Sequence, residues 1–299
     1  MSVDGRGAST PGRVGSRLPN FLVIGAMKAG TTSLYEYLRH HPQVFMPDIK
    51  EVNFFNPLRN WRRGVEWYEQ RFSDAGPGAV AVGEASTSYT KFPWIDGVPA
   101  RIASVLGSDV RLIYVVRDPV ERMRSQYLHH TITGQERRPI ERALVEDEMY
   151  LNISRYAMQL ERYRPYVADD HVLIVDSRDL RHRRSDTLRL IFGFLEVDPK
   201  WVAPTMDQEF LRSDDRRMKA PTLRRIRRIP RIRTIATYVP GPVKRLKRGW
   251  SQGLATQALD VEAATISDEL RERLVASLRD DVAALRSVMP AGFDGWGIA

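Results

Sequence analysis

Apolar residues along the chain follow two different spacings. Short unbroken runs occur at Phe21–Ile24, Val44–Met46, Ala79–Val82, Arg111–Val116 and Val172–Val175. Runs that lack polar alternation read as strands buried on both faces, the habit of a parallel sheet. Between them the apolar positions recur at helical spacing. Leu34, Tyr37, Leu38 and His41 line one face of Thr31–His41, which ends before Pro42. Val120, Met123 and Tyr127 share a face behind Pro119, a residue suited to the first turn of a helix. Ser154 is expected to cap a helix with the stripe Ala157, Leu160 and Tyr163 or Arg164, stopping near Pro165. Leu188, Ile191, Phe192 and Leu195 mark another helix, and Leu270, Leu274, Leu278, Val282 and Leu285 a long final one.

Strand and helix therefore alternate, which requires crossover connections. The expected fold is α/β: a central, mostly parallel five-stranded sheet flanked by helices. Residues 20–299 are read as a single domain. Residues 1–19, rich in Gly, Ser, Arg and Pro, read as a disordered lead-in rather than a secretory signal, since they hold no apolar core. The stretch 212–264 is the least regular and reads as a basic insert or lid.

Composition adds exclusions. The 299 residues include no cysteine, so disulfides, thiolate metal sites and a cysteine nucleophile are ruled out. No apolar run approaches the ~20 residues that span a bilayer, and a cytoplasmic location is expected. The net charge of +9 is concentrated: Arg212 to Arg248 hold fourteen Lys or Arg against Asp214 and Asp215. Such a segment is either solvated surface or a contact for an anionic ligand, membrane surface or nucleic acid. Its few aromatics, Tyr238 and then Trp250, supply no stacking platform for single-stranded nucleic acid.

Two strand–helix junctions carry candidate chemistry. The first is Gly25-Ala26-Met27-Lys28-Ala29-Gly30-Thr31-Thr32-Ser33. A glycine-bounded turn before a helix points backbone N–H groups at an anion. Thr31 stands where the nucleotide-triphosphate loop needs its lysine. The lysine lies in the turn instead, at Lys28, within reach of the bridging oxygen between a 5′-phosphate and its leaving partner. The second junction, Arg117-Asp118-Pro119-Val120-Glu121-Arg122-Met123-Arg124-Ser125, sets an arginine at a strand end and a serine two helical turns later. A guanidinium beside a hydroxyl suits a second phosphate, and Asp118 suits the cap of the following helix. Arg117 stands where a kinase-type site would place an acidic metal-holding residue. Two anion sites on one sheet call for a ligand with phosphates at both ends of a nucleoside, something like a 3′,5′-bisphosphorylated adenosine.

These residues resemble the sulfotransferase superfamily that uses 3′-phosphoadenosine 5′-phosphosulfate (PAPS), in its bacterial and heparan-type carbohydrate branch. Lys50-Glu51-Val52-Asn53-Phe54-Phe55 is similar to that branch's Lys-Glu-x-x-Phe-Phe segment. Gly83-Glu84-Ala85-Ser86-Thr87-Ser88-Tyr89 is similar to its Gly-Glu-x-Ser/Thr-x-x-Tyr segment. The resemblance implies that Lys28, Ala29, Gly30, Thr31, Thr32 and Ser33 bind the 5′-phosphosulfate, and that Arg117 and Ser125 hold the 3′-phosphate. Tyr156, with Arg216 or Arg217, would complete the nucleotide pocket, and Glu51 would act as general base. It implies no metal.

Without the resemblance, His40, His41, His129 and His130 stay open as bases, and Glu51 as a surface partner of Lys50. The implied reaction is sulfuryl transfer to a hydroxyl or amine of a carbohydrate, glycolipid or other small acceptor. The alternatives are a kinase-like phosphate-loop enzyme and a basic nucleic-acid-binding protein. Asn53 stands where many relatives carry histidine, and Ala85 where heparan-type enzymes carry a substrate-side lysine, so acceptor recognition is expected to differ.

Overall fold

A computed structural model describes residues 18–202 and 264–299. Five strands form its sheet: β1 (Phe21–Gly25), β2 (Val44–Phe45), β3 (Ala81–Ala85), β4 (Arg111–Val116) and β5 (Val172–Asp176). They lie in the order β2-β3-β1-β4-β5, and every neighbouring pair is parallel. The expected "mostly parallel" sheet is thus wholly parallel. All five residues of β1 are buried, as covered strands must be.

The connecting helices are α1 (Thr31–His40), α2 (Val65–Glu69), α3 (Val98–Leu106), α4 (Pro119–Ile132), α5 (Ile140–Glu146), α6 (Glu148–Ser154), α7 (Tyr156–Glu161), α8 (Ser177–His182), α9 (Arg184–Phe194) and α10 (Asp268–Arg286). The apolar stripe expected for α10 is buried at Leu270, Leu274, Leu278, Val282 and Leu285. Its first four members pack with Val120, Met123, Ile140 and Leu144 in a second apolar cluster beside the main core. No described helix is long and apolar enough to cross a membrane.

Two sequence expectations need correcting. The run placed at Ala79–Val82 forms its strand two residues later and carries it on through Gly83 and Glu84. Glycine at 83 is needed because a Cβ there would stand 2.4 Å from the Phe21 ring across the β1–β3 pair. Ser154 caps nothing: it is the last residue of α6, and Arg155 precedes α7. Its hydroxyl instead accepts from Arg122 Nε at 2.6 Å and donates to the Pro119 carbonyl at 3.2 Å. The opening N–H groups of α7 are capped from far along the chain. Asp281 of α10 accepts from Ala157 and Met158 at 3.1 and 2.9 Å.

Candidate functional site

The chain builds β2 and β3 on one side of β1, then crosses to build β4 and β5 on the other. Beyond the carboxyl ends of β1 and β4 lies the switch point where doubly wound sheets collect ligands. Both candidate anion junctions are there. The turn after β1 holds Lys28 at φ 71° and Gly30 at φ 99°, left-handed values that bend the chain into α1. Gly30 gives α1 no side-chain cap, and its first turn has no acidic residue. The opening N–H groups and the positive end of the helix dipole therefore present an anion seat. Thr31 is buried, while Thr32 and Ser33 keep partial exposure.

Arg117 leaves β4 directly against this turn: its Nη1 donates to the Lys28 carbonyl at 3.4 Å. Asp118 caps α4 as expected, accepting from Val120 and Glu121 at 2.9 and 3.1 Å. Ser125 lies buried two turns along α4. Tyr156, expected to complete the nucleotide pocket, is fully buried behind Arg117 and donates to its carbonyl at 2.7 Å. That bond holds the Arg117 backbone in place. Arg216, Arg217 and the basic segment 212–248 lie outside the described residues.

Arg122 belongs to the same junction, and sequence reading gave it no role. It has no exposed surface, and its guanidinium donates to Ser154 Oγ, to Gln126 Oε1 at 2.7 Å, to the Tyr150 carbonyl at 2.7 Å and to the Met27 carbonyl at 3.3 Å. Burial brings its pKa down to about 10, still charged at neutral pH. One side chain thus ties α4 and α6 to the turn after β1.

Glu51 follows β2 at φ 64° and sits beside β3. Its carboxylate accepts from Lys50 Nζ at 2.9 Å, from the Thr87 N–H at 2.9 Å and from the Thr87 hydroxyl at 3.1 Å. The pairing with Lys50 is therefore real, yet the Glu51 carboxylate is also anchored to the short 3-10 helix Thr87–Thr90 that follows β3. Asn53, at φ 53°, shapes this turn. It donates Nδ2 to the Glu51 carbonyl at 2.8 Å, accepts from the Ser88 hydroxyl at 2.5 Å and gives its N–H to Ser86 Oγ at 2.8 Å. Lys28, Glu51 and Asn53 are three of the five described non-glycine residues with positive φ. Such conformations concentrate where function over-determines the backbone.

Beneath this turn lies Glu84, another residue given no role by sequence. It is fully buried with no paired cation among the described residues, and hydroxyls donate to it from Ser86 at 2.5 Å, Tyr89 at 2.5 Å and Tyr68 at 3.1 Å. Loss of hydration outweighs these bonds and raises its pKa from 4.5 to about 7. Because the folded value lies above the unfolded one, the stabilising contribution is present below pH 4.5 and is lost as pH rises to 7. The size is about 3 kcal/mol. Urea unfolding of the Glu84→Gln variant should lack this fall, and a wild-type-minus-variant difference that stays flat from pH 4.5 to 7.5 would refute it.

The histidines separate by position. His41 is buried at the end of α1 between the Asp198 carbonyl and the Gln43 N–H, and His40 bonds the Glu36 carbonyl in its own helix. His130 reaches Tyr150 at 3.1 Å, and burial lowers its pKa. Among the described residues, no group of three or more His, Asp or Glu could hold a metal ion.

A family model described as "Sulfotransferase domain" matches residues 18–230. Mouse (Mus musculus) heparan sulfate glucosamine 3-O-sulfotransferase 5 is 28% identical over 197 residues, covering 62% of this chain and 55% of that protein. Human (Homo sapiens) bifunctional heparan sulfate N-deacetylase/N-sulfotransferase 3 is 31% identical over 206 residues, covering 62% of this chain and 23% of that protein. A membrane-associated sulfotransferase, kil1, of Dictyostelium discoideum is 40% identical over 112 residues, or 37% of this chain and 22% of that protein. The chain thus spans between about a fifth and about half of the length of these curated relatives. The crystal structure of a sulfotransferase from Alicyclobacillus acidocaldarius shares the fold, with a TM-score of 0.67 at 22% identity over 94% of this chain and 99% of that one.

Proposed function

Since the chain belongs to the sulfotransferase domain family, we propose that it moves a sulfuryl group from PAPS to a hydroxyl or amine of a carbohydrate, glycolipid or other small acceptor. The observation that carries this reading is the contact of Arg117 with the Lys28 carbonyl. It joins two cation-bearing turns in one crevice, as a nucleoside with a phosphate at each end requires. The uncapped start of α1, with Gly30 at φ 99°, suits the 5′ end, and Arg117 with Ser125 the 3′ end. A kinase-type reading is weaker because β4 runs into Arg117 rather than an acidic residue.

Bound there, the donor supplies a sulfuryl group on a phosphate that departs. The chain's part is to hold both partners in line and to neutralise developing charge. Lys28 and the turn amides would bear the charge gathering on the departing phosphate. Glu51 would accept the acceptor's proton, with Thr87 and Lys50 fixing its carboxylate. Both heparan sulfate relatives are sulfotransferases of a carbohydrate, which supports a carbohydrate-type acceptor.

Calorimetry with adenosine 3′,5′-bisphosphate and with ATP, followed by labelled-sulfate transfer to glycans, glycolipids and phenols, tests the reading. The bisphosphate should bind and ATP should not. A Glu51→Gln variant should bind the bisphosphate like wild type and lose about 10²-fold or more in turnover. Tighter binding of ATP would sink the proposal, and equal loss of binding and turnover would make Glu51 structural.

A further inference from the structure

Glu84 has no place in the reaction as described, yet two lines of contact lead from it to the turn that carries Glu51. In the first, Ser86 gives its hydroxyl proton to Glu84 at 2.5 Å, and the same oxygen accepts the Asn53 N–H at 2.8 Å. Asn53 in turn donates its side-chain amide to the Glu51 carbonyl at 2.8 Å. In the second, Tyr89 gives its proton to Glu84 at 2.5 Å, and its oxygen accepts the Phe55 N–H at 3.3 Å. A hydroxyl has one proton. Because Ser86 and Tyr89 commit theirs to Glu84, their oxygens face the turn as acceptors.

The rings repeat the grip. Tyr68 of α2, the third donor to Glu84, stacks on Phe54 with ring centroids 4.2 Å apart, and Tyr89 meets Phe55 edge-on at 5.7 Å. Glu84 and its donors thus hold Asn53, Phe54 and Phe55 in succession. The residues after Glu84 hold Glu51 itself: the Ala85 carbonyl accepts the Glu51 N–H at 2.9 Å, and Thr87 binds the carboxylate. Glu51 and Asn53 need this support, since φ of 64° and 53° is unfavourable for residues with a Cβ. A charge on Glu84 is costly to the fold, being fully buried and opposed by the field of Glu51. Breaches of the burial rule of this kind gather at functional sites.

Building on the sulfotransferase reading, we propose that Glu84 is a positioning residue for Glu51. In its charged form it keeps the Ser86 and Tyr89 oxygens turned toward the Asn53 and Phe55 N–H groups, and so fixes the turn that presents the Glu51 carboxylate to the acceptor. Bonds to a charged oxygen are about twice as strong as neutral ones. A protonated Glu84 accepts more weakly and must also displace one of the three hydroxyl protons, which loosens the hold. The titratable groups facing Glu84 are Tyr68, Tyr89 and, through space, Glu51. Burial raises both tyrosines well above their usual value, so of Glu84 and its donors it is Glu84 that changes charge near neutral pH.

The test uses the full chain with 15N-labelled asparagine, the Asn53 amide being assigned by its absence in Asn53→Asp. In wild type that amide should titrate with a midpoint near pH 7, following Glu84, and in Glu84→Gln it should not. Glu84→Gln should bind adenosine 3′,5′-bisphosphate like wild type and lose about tenfold or more in kcat, the scale of a misplaced catalytic group. The rise of wild-type kcat between pH 6 and 8 should be absent from the variant. Ser86→Ala cuts the same line, so adding it to Glu84→Gln should cost less than the two separate losses combined. An Asn53 amide that is flat from pH 5.5 to 8.5, or a Glu84→Gln chain with wild-type kcat and pH profile, overturns the proposal. Equal loss of nucleotide binding and turnover in Glu84→Gln overturns it too, by making Glu84 merely structural. Failure of the bisphosphate to bind the wild-type chain would instead strike the sulfotransferase reading, since the amide titration is read without nucleotide.

Discussion

Replacing Lys28 with alanine is expected to cut sulfuryl transfer by about 10²–10³-fold while leaving the fold in place. That loss corresponds to about 3–4 kcal/mol of transition-state stabilisation. It should fall on kcat, because the ammonium matters most when the departing phosphate gains charge. The turn is held through its backbone as well. Its carbonyls are held by Arg117 and Arg122, the Ala29 N–H bonds the Ala26 carbonyl at 3.1 Å, and the Leu34 N–H bonds the Gly30 carbonyl at 3.2 Å. Lys28→Gly provides a control, since glycine accepts φ 71° without strain. It should lose the same activity. Near-normal turnover in both variants would remove Lys28 from the mechanism.

The largest effect on stability is expected at Arg122. Arg122→Met removes a fully buried guanidinium and strands Ser154 Oγ, Gln126 Oε1 and two carbonyls. Breaking a buried charged network of this kind costs about 3–5 kcal/mol. Urea denaturation should register the loss. Arg122→Lys should not restore it, because one ammonium cannot reproduce a planar fork directed at four acceptors. A loss below about 1 kcal/mol in Arg122→Met would mean that the network carries little of the fold.

Much of this architecture was legible in the chain. The run Arg111–Val116 is β4 to the residue, and the α4 cap at Asp118 and the α10 stripe are where spacing put them. These features depend on neighbours in sequence, which is why they could be read. What escaped reading depends on distant partners. Glu84 enters the sequence reading only within a resemblance, because nothing local reveals that Tyr68, Ser86 and Tyr89 would surround it with hydroxyls. Asp281 reads as one more polar position on an exposed helix face, and only the packing of α10 against α7 makes it a cap. Of the candidate site, both anion turns and Glu51 were visible as motifs. Thr87 enters the sequence reading only within a resemblance, since its bonds to Glu51 join positions far apart in the chain.

The remote cap on α7 has a consequence for ligand affinity. Asp281 fixes the start of the short helix whose first residue, Tyr156, grips the Arg117 backbone, and Trp296 packs edge-on against that same tyrosine. The C-terminal portion of the chain is therefore a buttress for Arg117, one end of the proposed nucleotide site, although it supplies none of the candidate contacts. By thermodynamic reciprocity, if the docked C-terminus strengthens nucleotide binding through Arg117, a bound nucleotide must hold that C-terminus in place by the same factor.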